Sequence, residues 1–286
     1  MVIPCYFKDA KNFSSIMSNI IVTLTTIPSR LKSEHDLGIK SCIFSLLNQN
    51  YSPYEIHMNI PWVNKRTGEE YVIPEWLTNT SVKIFRTDDL GPGTKSIPTV
   101  ERIVDPETII IVVDDDLIYH EDMISEQVNN QQKHPEAVVG YDGLRSRNEN
   151  GSFSTYFGDS RDYWYNSHTQ EKRVDILQHF KTVSYKRRYF EADFSTFVAD
   201  NFFWNDDLLL SAYFASKKRD RIVTYHSSHV EYPSFDEWLT KGGVTNFPVK
   251  HHTNHETMEG CNLIRQNQEE NECAWLYKHI DQGYAR

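Results

Sequence analysis

Ile109-Ile110-Ile111-Val112-Val113-Asp114-Asp115-Asp116 is the stretch that decides the fold. Five β-branched apolar residues run without a polar break, and three carboxylates follow at once. A half-exposed strand alternates apolar and polar side chains. A strand without that alternation is covered on both faces, as in a parallel sheet. The carboxylates then mark its C-terminal end, where open α/β sheets bind their ligands. Gathering three like charges at the edge of a core is costly unless a cation or hydrogen-bond donors compensate. Carboxylate oxygens suit a hard divalent ion such as Mg²⁺ or Mn²⁺, which in turn would hold a diphosphate. A solvated turn, or a cap for the next helix, would use the same residues without a metal.

The segments on either side of this strand support a layered α/β domain. Ile20 to Leu24 is a short β-branched run, ended by Thr25-Thr26-Ile27-Pro28. Ile39, Cys42, Ile43, Leu46 and Leu47 follow helical spacing, with Asp36 near the expected helix start. Tyr54–Ile60, Val82–Phe85 and Ala137–Tyr141 read as further strands. Pro98–Val104, Asp122–Lys133 and Asp206–Lys217 read as helices. Strand alternating with helix over residues 20–141 predicts a mostly parallel sheet with right-handed crossovers. The residues just after each strand are then the ones to watch: Thr25–Arg30, Asp88–Lys95 and Asp114–Asp116. Residues 142–190 lack periodicity and read as an irregular insertion. Residues 225–260 read as irregular and His-rich, with one short helical stretch near Phe235–Thr240, and Glu269–Ile280 as a final helix.

Composition bounds the function. The 286 residues carry 30 Lys and Arg against 40 Asp and Glu, a net charge of -10, which disfavours nucleic acid as a partner. The aromatic share of 13 % excludes a disordered chain. The longest clean apolar run is Ile109–Val113, far short of the ~20 residues a membrane helix needs. Cys5, Cys42, Cys261 and Cys273 match no zinc spacing and read as reduced thiols. Residues 1–18 hold Lys8, Asp9 and Lys11 and no apolar core, so no secretory signal is expected and the location implied is cytoplasmic.

Three further groups bear chemistry. Asp88-Asp89-Leu90-Gly91-Pro92-Gly93-Thr94-Lys95 is a glycine-flanked loop with a lysine. Its backbone amides and Lys95 suit an anion, although an ordinary turn fits as well, and it lacks the P-loop spacing. Asn205-Asp206-Asp207 opens an amphipathic helix. Helix capping explains these residues without chemistry, and a carboxylate general base is the functional alternative. His226, His229, His251, His252 and His255 form a loose cluster from which an imidazole could complete a metal shell, though exposed loop histidines would look the same.

Taken in order, four of these segments resemble a GT-A-type glycosyltransferase, the nucleotide-sugar-dependent class. Ile21-Val22-Thr23-Leu24-Thr25-Thr26-Ile27-Pro28-Ser29-Arg30 looks like the first strand and nucleotide loop, with Ser45-Leu46-Leu47-Asn48-Gln49 on the helix that follows. Asp89-Leu90-Gly91-Pro92-Gly93-Thr94-Lys95 resembles the D-x-G-P-A-T-K segment of a group of bacterial and viral sequences, with Gly93 in place of Ala. Asp114-Asp115-Asp116 resembles the D-x-D motif. Asn205 through Tyr213 resembles the D-D-x-x-L-S segment. The resemblance covers roughly residues 19–220.

The resemblance implies a Rossmann-like, mostly parallel sheet flanked by helices with an irregular C-terminal part. It implies one catalytic domain over residues 1–286, with a donor half over 19–141 and an acceptor half over 142–286. Thr25, Arg30, Lys95, Asp114 and Asp115 would bind the donor, a nucleoside diphosphate sugar, most commonly UDP-linked. Asp116 and Asp114, with His251, would hold Mn²⁺ or Mg²⁺. Asp206 or Asp207 would deprotonate a carbohydrate or other hydroxyl acceptor, giving inversion by single displacement. Tyr163-Trp164-Tyr165 through Lys186-Arg187-Arg188-Tyr189 is a candidate acceptor platform, or core under a long insertion; Trp204 is the better acceptor contact. Two other readings remain. One is a metal-dependent nucleotidyltransferase or phosphohydrolase, although Ile118 breaks the haloacid-dehalogenase pattern and Thr25–Arg30 lacks the glycines of a pyrophosphorylase loop. The other is a noncatalytic carbohydrate-binding protein on the same fold.

Overall fold

The computed structural model describes residues 19–32, 39–144, 147–149, 152–154, 164–166, 171–179, 181–200 and 206–224. At its centre is an eight-stranded sheet. Four strands from the first half lie side by side and parallel: β1 (Ile20–Leu24), β2 (Glu55–Pro61), β3 (Lys83–Thr87) and β4 (Ile109–Val113). Their spatial order is β3-β2-β1-β4. Beyond β4 the sheet continues through β12 (Thr182–Lys186), β5 (Val138–Gly140), β13 (Arg221–Val223) and β10 (Lys172–Arg173). Of these, β12 and β10 run against their neighbours, and the other six strands are parallel. Two small sheets stand apart. One holds β6 (Asp142–Leu144), β9 (Trp164–Asn166) and β11 (Ile176–Leu177), and the other pairs β7 (Arg147–Glu149) with β8 (Ser152–Ser154).

The unbroken apolar run of β4 is explained by its position. Ile109, Ile111 and Val113 pack with helices α2 (Ile39–Leu47) and α5 (Met123–Lys133) on one face. Ile110 and Val112 pack on the other with α4 (Ile97–Arg102), α6 (Phe194–Asp200) and α7 (Asp206–Ser216). All five β4 residues are buried, and each such side chain contributes about 1.5–3 kcal/mol of transfer free energy. The sheet is therefore a middle layer between two helical layers, as expected from the sequence. The short α1 (Pro28–Leu31) follows β1 with Pro28 in its first turn, and α3 (Glu75–Thr78) precedes β3.

The expected irregular insertion over residues 142–190 is corrected at its end. Residues 182–186 form β12, inserted in the sheet between β4 and β5. Because it is antiparallel, Thr182 at its start pairs with Val113 at the end of β4. The segment leading into β12 thus lies at the carboxyl edge of the parallel strands. No helix among the described residues is long and apolar enough to cross a membrane. The expected helices near Phe235–Thr240 and Glu269–Ile280 lie outside the described residues.

Candidate active site

The chain leaves β1 to build β2 and β3 on one side and returns to place β4 on the other. Ligand crevices of open α/β sheets form at such a reversal. A cleft of about 360 Å³ lies there. It is lined by Thr25, Thr26, Ile27 and Arg30 after β1, and by Asn64, Arg66 and Tyr71 from the loop after β2. Asp89, Gly91, Pro92 and Lys95 line it after β3, Asp114–Asp116 after β4, and Asp206–Asp207 at the start of α7. The residues singled out in four distant segments of sequence therefore meet in one place. His251, His252 and His255 lie outside the described residues, as do Tyr163 and Trp204.

Lys95 is the hub. It ends a 3-10 turn, Gly91–Lys95, whose start is held by Asp89 and Thr94. The Gly91 N–H donates to Asp89 Oδ1 (2.8 Å), and the Leu90 N–H donates to Thr94 Oγ1 (2.8 Å). The Lys95 ammonium is buried and donates to Asp114 Oδ1 (2.8 Å) and the His179 carbonyl (3.2 Å), and lies 3.0 Å from Asp206 Oδ2. Burial alone would lower its pKa, but the charges of Asp114, Asp206 and Asp207 win and raise it. An ammonium has three donors; two are engaged by Asp114 and the His179 carbonyl, and Asp206 Oδ2 meets the charge without a hydrogen bond. Lys95 therefore ties the end of β4 to the start of α7 by charge.

The three β4 carboxylates are held differently. Asp115 is buried, accepting from Thr26 Oγ1 and from the Arg30 guanidinium. Arg30 also donates to Asp116 Oδ2 (3.1 Å). Burial lowers the Arg30 pKa, and Asp115, Asp116 and Asp114 together more than restore it. Burial pushes Asp114 up, Lys95 pulls it down, and the charges of Asp116 and Asp206 push it up again, for a net rise. The backbone beneath Asp114 is fixed by the Tyr119 hydroxyl, which accepts from the Asp114 N–H at 2.9 Å and donates to its carbonyl at 3.0 Å. Thr25 Oγ1 donates to the Asn59 carbonyl (2.7 Å), which fixes the loop after β1.

At the start of α7 the two acidic residues separate. The Asp206 side chain is 7 % exposed and faces Lys95. The Asp207 side chain is 25 % exposed. Its Oδ1 accepts from the His179 N–H (2.7 Å), and the His179 Nδ1 lies 3.3 Å from that oxygen. Burial would raise the Asp207 carboxyl. The contacts with His179, together with the Lys95 charge, outweigh it and hold the group below the ordinary Asp value. Sequence reasoning missed His179. Its histidine signal lay in the chain beyond residue 225, whereas the start of β12 brings this isolated histidine to the cleft.

The cleft suits a divalent cation. Carboxylates outnumber cationic side chains six to three among its lining residues. Asp116 Oδ1 and Asp114 Oδ2 make no hydrogen bond among the described residues, and the Asp116 side chain is 24 % exposed. Hard carboxylate oxygens with open lone pairs are the donor set Mg²⁺ and Mn²⁺ take. Of the two readings of the aromatic stretch, acceptor platform or core, core holds for two of its tyrosines. Tyr185 and Tyr189 are fully buried in the core, and Lys186 pairs with Glu107.

No protein-family model matches the chain. No curated protein matches it. Among solved structures, the chain is similar to 4-diphosphocytidyl-2C-methyl-D-erythritol synthase from Anaerococcus prevotii. That match has 14 % identity over 71 % of this chain and 83 % of the other, at a TM-score of 0.46. It is also similar to S. aureus TarS residues 1–349 in complex with UDP-GlcNAc, at 15 % identity over 68 % of this chain and 52 % of that one, TM-score 0.42. The same protein in complex with UDP gives 14 % identity over 69 % and 55 %, TM-score 0.44. The chain thus spans about half the length of those TarS chains.

Proposed function

We propose that the protein is a glycosyltransferase that moves a sugar from a nucleoside diphosphate sugar, UDP-linked, to a hydroxyl of a glycan or other acceptor. One observation carries this reading: the β4 carboxylates, Lys95 and the Asp206–Asp207 pair converge on a single cleft at the strand-order reversal. A diphosphate cannot approach so acidic a cleft without a counter-cation. Asp114 and Asp116 are the residues that would hold it, with His251 as a further ligand suggested by the sequence. A Mn²⁺ or Mg²⁺ ion bound there would supply positive charge to the leaving diphosphate.

The chain's own groups do the rest. Arg30 and Thr26 hold Asp115 and so fix the turn that presents Asp114 and Asp116. Thr25 and Arg30, which line the cleft, would meet the donor. Asp207 is the general base, supported by its greater exposure and by an Oδ2 that makes no hydrogen bond among the described residues. Asp206 is its buried neighbour, committed to Lys95. In the transfer step the acceptor oxygen bonds to the anomeric carbon and its proton passes to Asp207. The bond from that carbon to the diphosphate oxygen breaks, and the nucleoside diphosphate leaves with the electron pair. Attack on the face opposite the leaving group inverts the anomeric centre.

Incubation with UDP-sugars, Mn²⁺ and a panel of saccharide acceptors, followed by NMR of the product, tests the proposal. UDP release with an inverted glycosidic linkage is expected. A retained configuration would remove the base role from Asp207. Turnover of a nucleoside triphosphate in place of the sugar nucleotide would point to a nucleotidyltransferase instead.

A further inference from the structure

The segment that enters β12 carries a residue whose placement has no structural explanation of its own. His179 is fully buried. Its backbone touches both charged centres of the cleft, accepting from Lys95 through its carbonyl and donating to Asp207 through its N–H. Its imidazole lies against Asp207 Oδ1 at 3.3 Å, off the line of a good hydrogen bond, and Nε2 has no partner among the described residues. An apolar side chain would fill that space without burying two ring nitrogens that make no hydrogen bond. A buried imidazole placed at this cost points to a task at Asp207, the carboxylate it lies against. A metal shared by His179, Asp206 and Asp207 is opposed by Lys95, whose ammonium already sits 3.0 Å from Asp206 Oδ2.

We propose that His179 is the positioning residue of the base: its backbone N–H holds Oδ1 of Asp207, and its imidazole, with the proton on Nδ1 3.3 Å from that oxygen, turns a favourable dipole to it, leaving Oδ2 as the oxygen that takes the acceptor proton. This rests on the transferase reading of the cleft. The Nδ1–H tautomer follows from the surroundings. It aims the ring's N–H at a carboxylate and leaves only a lone pair, on Nε2, without a partner. The segment is itself anchored just before the imidazole. The Leu177 N–H donates to Ser211 Oγ of α7 (3.1 Å), and the Gln178 N–H donates to the Asp142 carbonyl (3.0 Å).

Two measurements on the full-length protein test it. The first is ¹⁵N NMR of histidine-labelled protein, with His179 assigned by its loss in His179→Asn. A proton on Nδ1 that shifts in Asp207→Asn is expected. A proton on Nε2, or a His179 signal indifferent to Asp207→Asn, overturns the proposal. The second is Mn²⁺-dependent hydrolysis of UDP-glucose, UDP-galactose and UDP-GlcNAc, with water as the acceptor. His179→Phe should lower kcat by at least about tenfold with KM for the donor within about twofold, while His179→Asn, whose amide N–H can replace Nδ1–H, should recover most of that loss. Equal losses in the two variants, or a loss in KM alone, count against a positioning role. If the wild type turns over no nucleotide sugar, the transferase reading has failed and the NMR result alone decides the His179–Asp207 contact.

Discussion

Asp207 and Asp116 show how two carboxylates of one cleft are set to different tasks by what touches them. Asp207 is held low by His179 and Lys95 against the effect of burial. A base works only while ionised, so the acid limb of the rate profile should fall below the ordinary Asp range, with activity lost as pH drops through that lowered value. The same group contributes stability above the unfolded-state value and loses it as pH falls through the folded one. Asp207→Asn should reduce turnover by about 10²–10⁴-fold with an unchanged circular dichroism spectrum. An acid limb that stays put in that variant would assign it to another residue. Lys95→Met should destabilise the protein by on the order of 2–4 kcal/mol in urea unfolding. It strips the partner from Asp206 and from a partly exposed Asp114. A variant as stable as the wild type would mean that the ion-pair hub contributes little.

At the scale of elements, β1, β2 and β4 were legible because their apolar residues are buried and Pro, Gly or Asp punctuates the chain around them. The boundaries of β1 and of α5 differ from expectation by no more than a residue. β12 was not legible. Its Thr182-Val183-Ser184-Tyr185-Lys186 has only two large apolar side chains, and its burial comes from β4 and β5, strands distant in sequence. The aromatic residues around it looked like a sugar platform because Tyr suits both a core and a wet surface. Tyr185 and Tyr189 turned out to be core. Asp206 and Asp207 read equally as helix caps, and only their distance from Lys95 and His179 separates capping from chemistry. Gly143 tests the packing of the small sheet. A Cβ there would meet the Ile176 carbonyl at 2.8 Å and Val174 Cγ2 at 2.7 Å. Gly143→Ala should therefore cost about 1–3 kcal/mol in chemical denaturation. A neutral result would mean that the β6–β11 pairing yields without strain.

For the molecule as a whole, one sheet edge collects charge that the rest of the fold excludes. The body of the sheet is buried between two apolar layers, and its carboxyl edge brings together three segments of carboxylates. A net charge of -10 adds a repulsive field to that local excess. Anionic donor and divalent cation should therefore bind together or weakly, because each offsets the charge that opposes the other. The most direct test is the thermal unfolding midpoint of wild type and Asp116→Asn with UDP, UDP-GlcNAc and UDP-glucose, each with and without Mn²⁺. A ligand that binds only the folded state raises the midpoint as its concentration exceeds its Kd, by about 2.7 kcal/mol at a hundredfold excess. The wild type should be stabilised by nucleotide with Mn²⁺ and far less by either alone, and Asp116→Asn should lose that synergy while unfolding normally. Equal stabilisation of both proteins with and without the metal, or no stabilisation of the wild type at all, would contradict the assignment of this cleft as a metal-dependent nucleotide-sugar site.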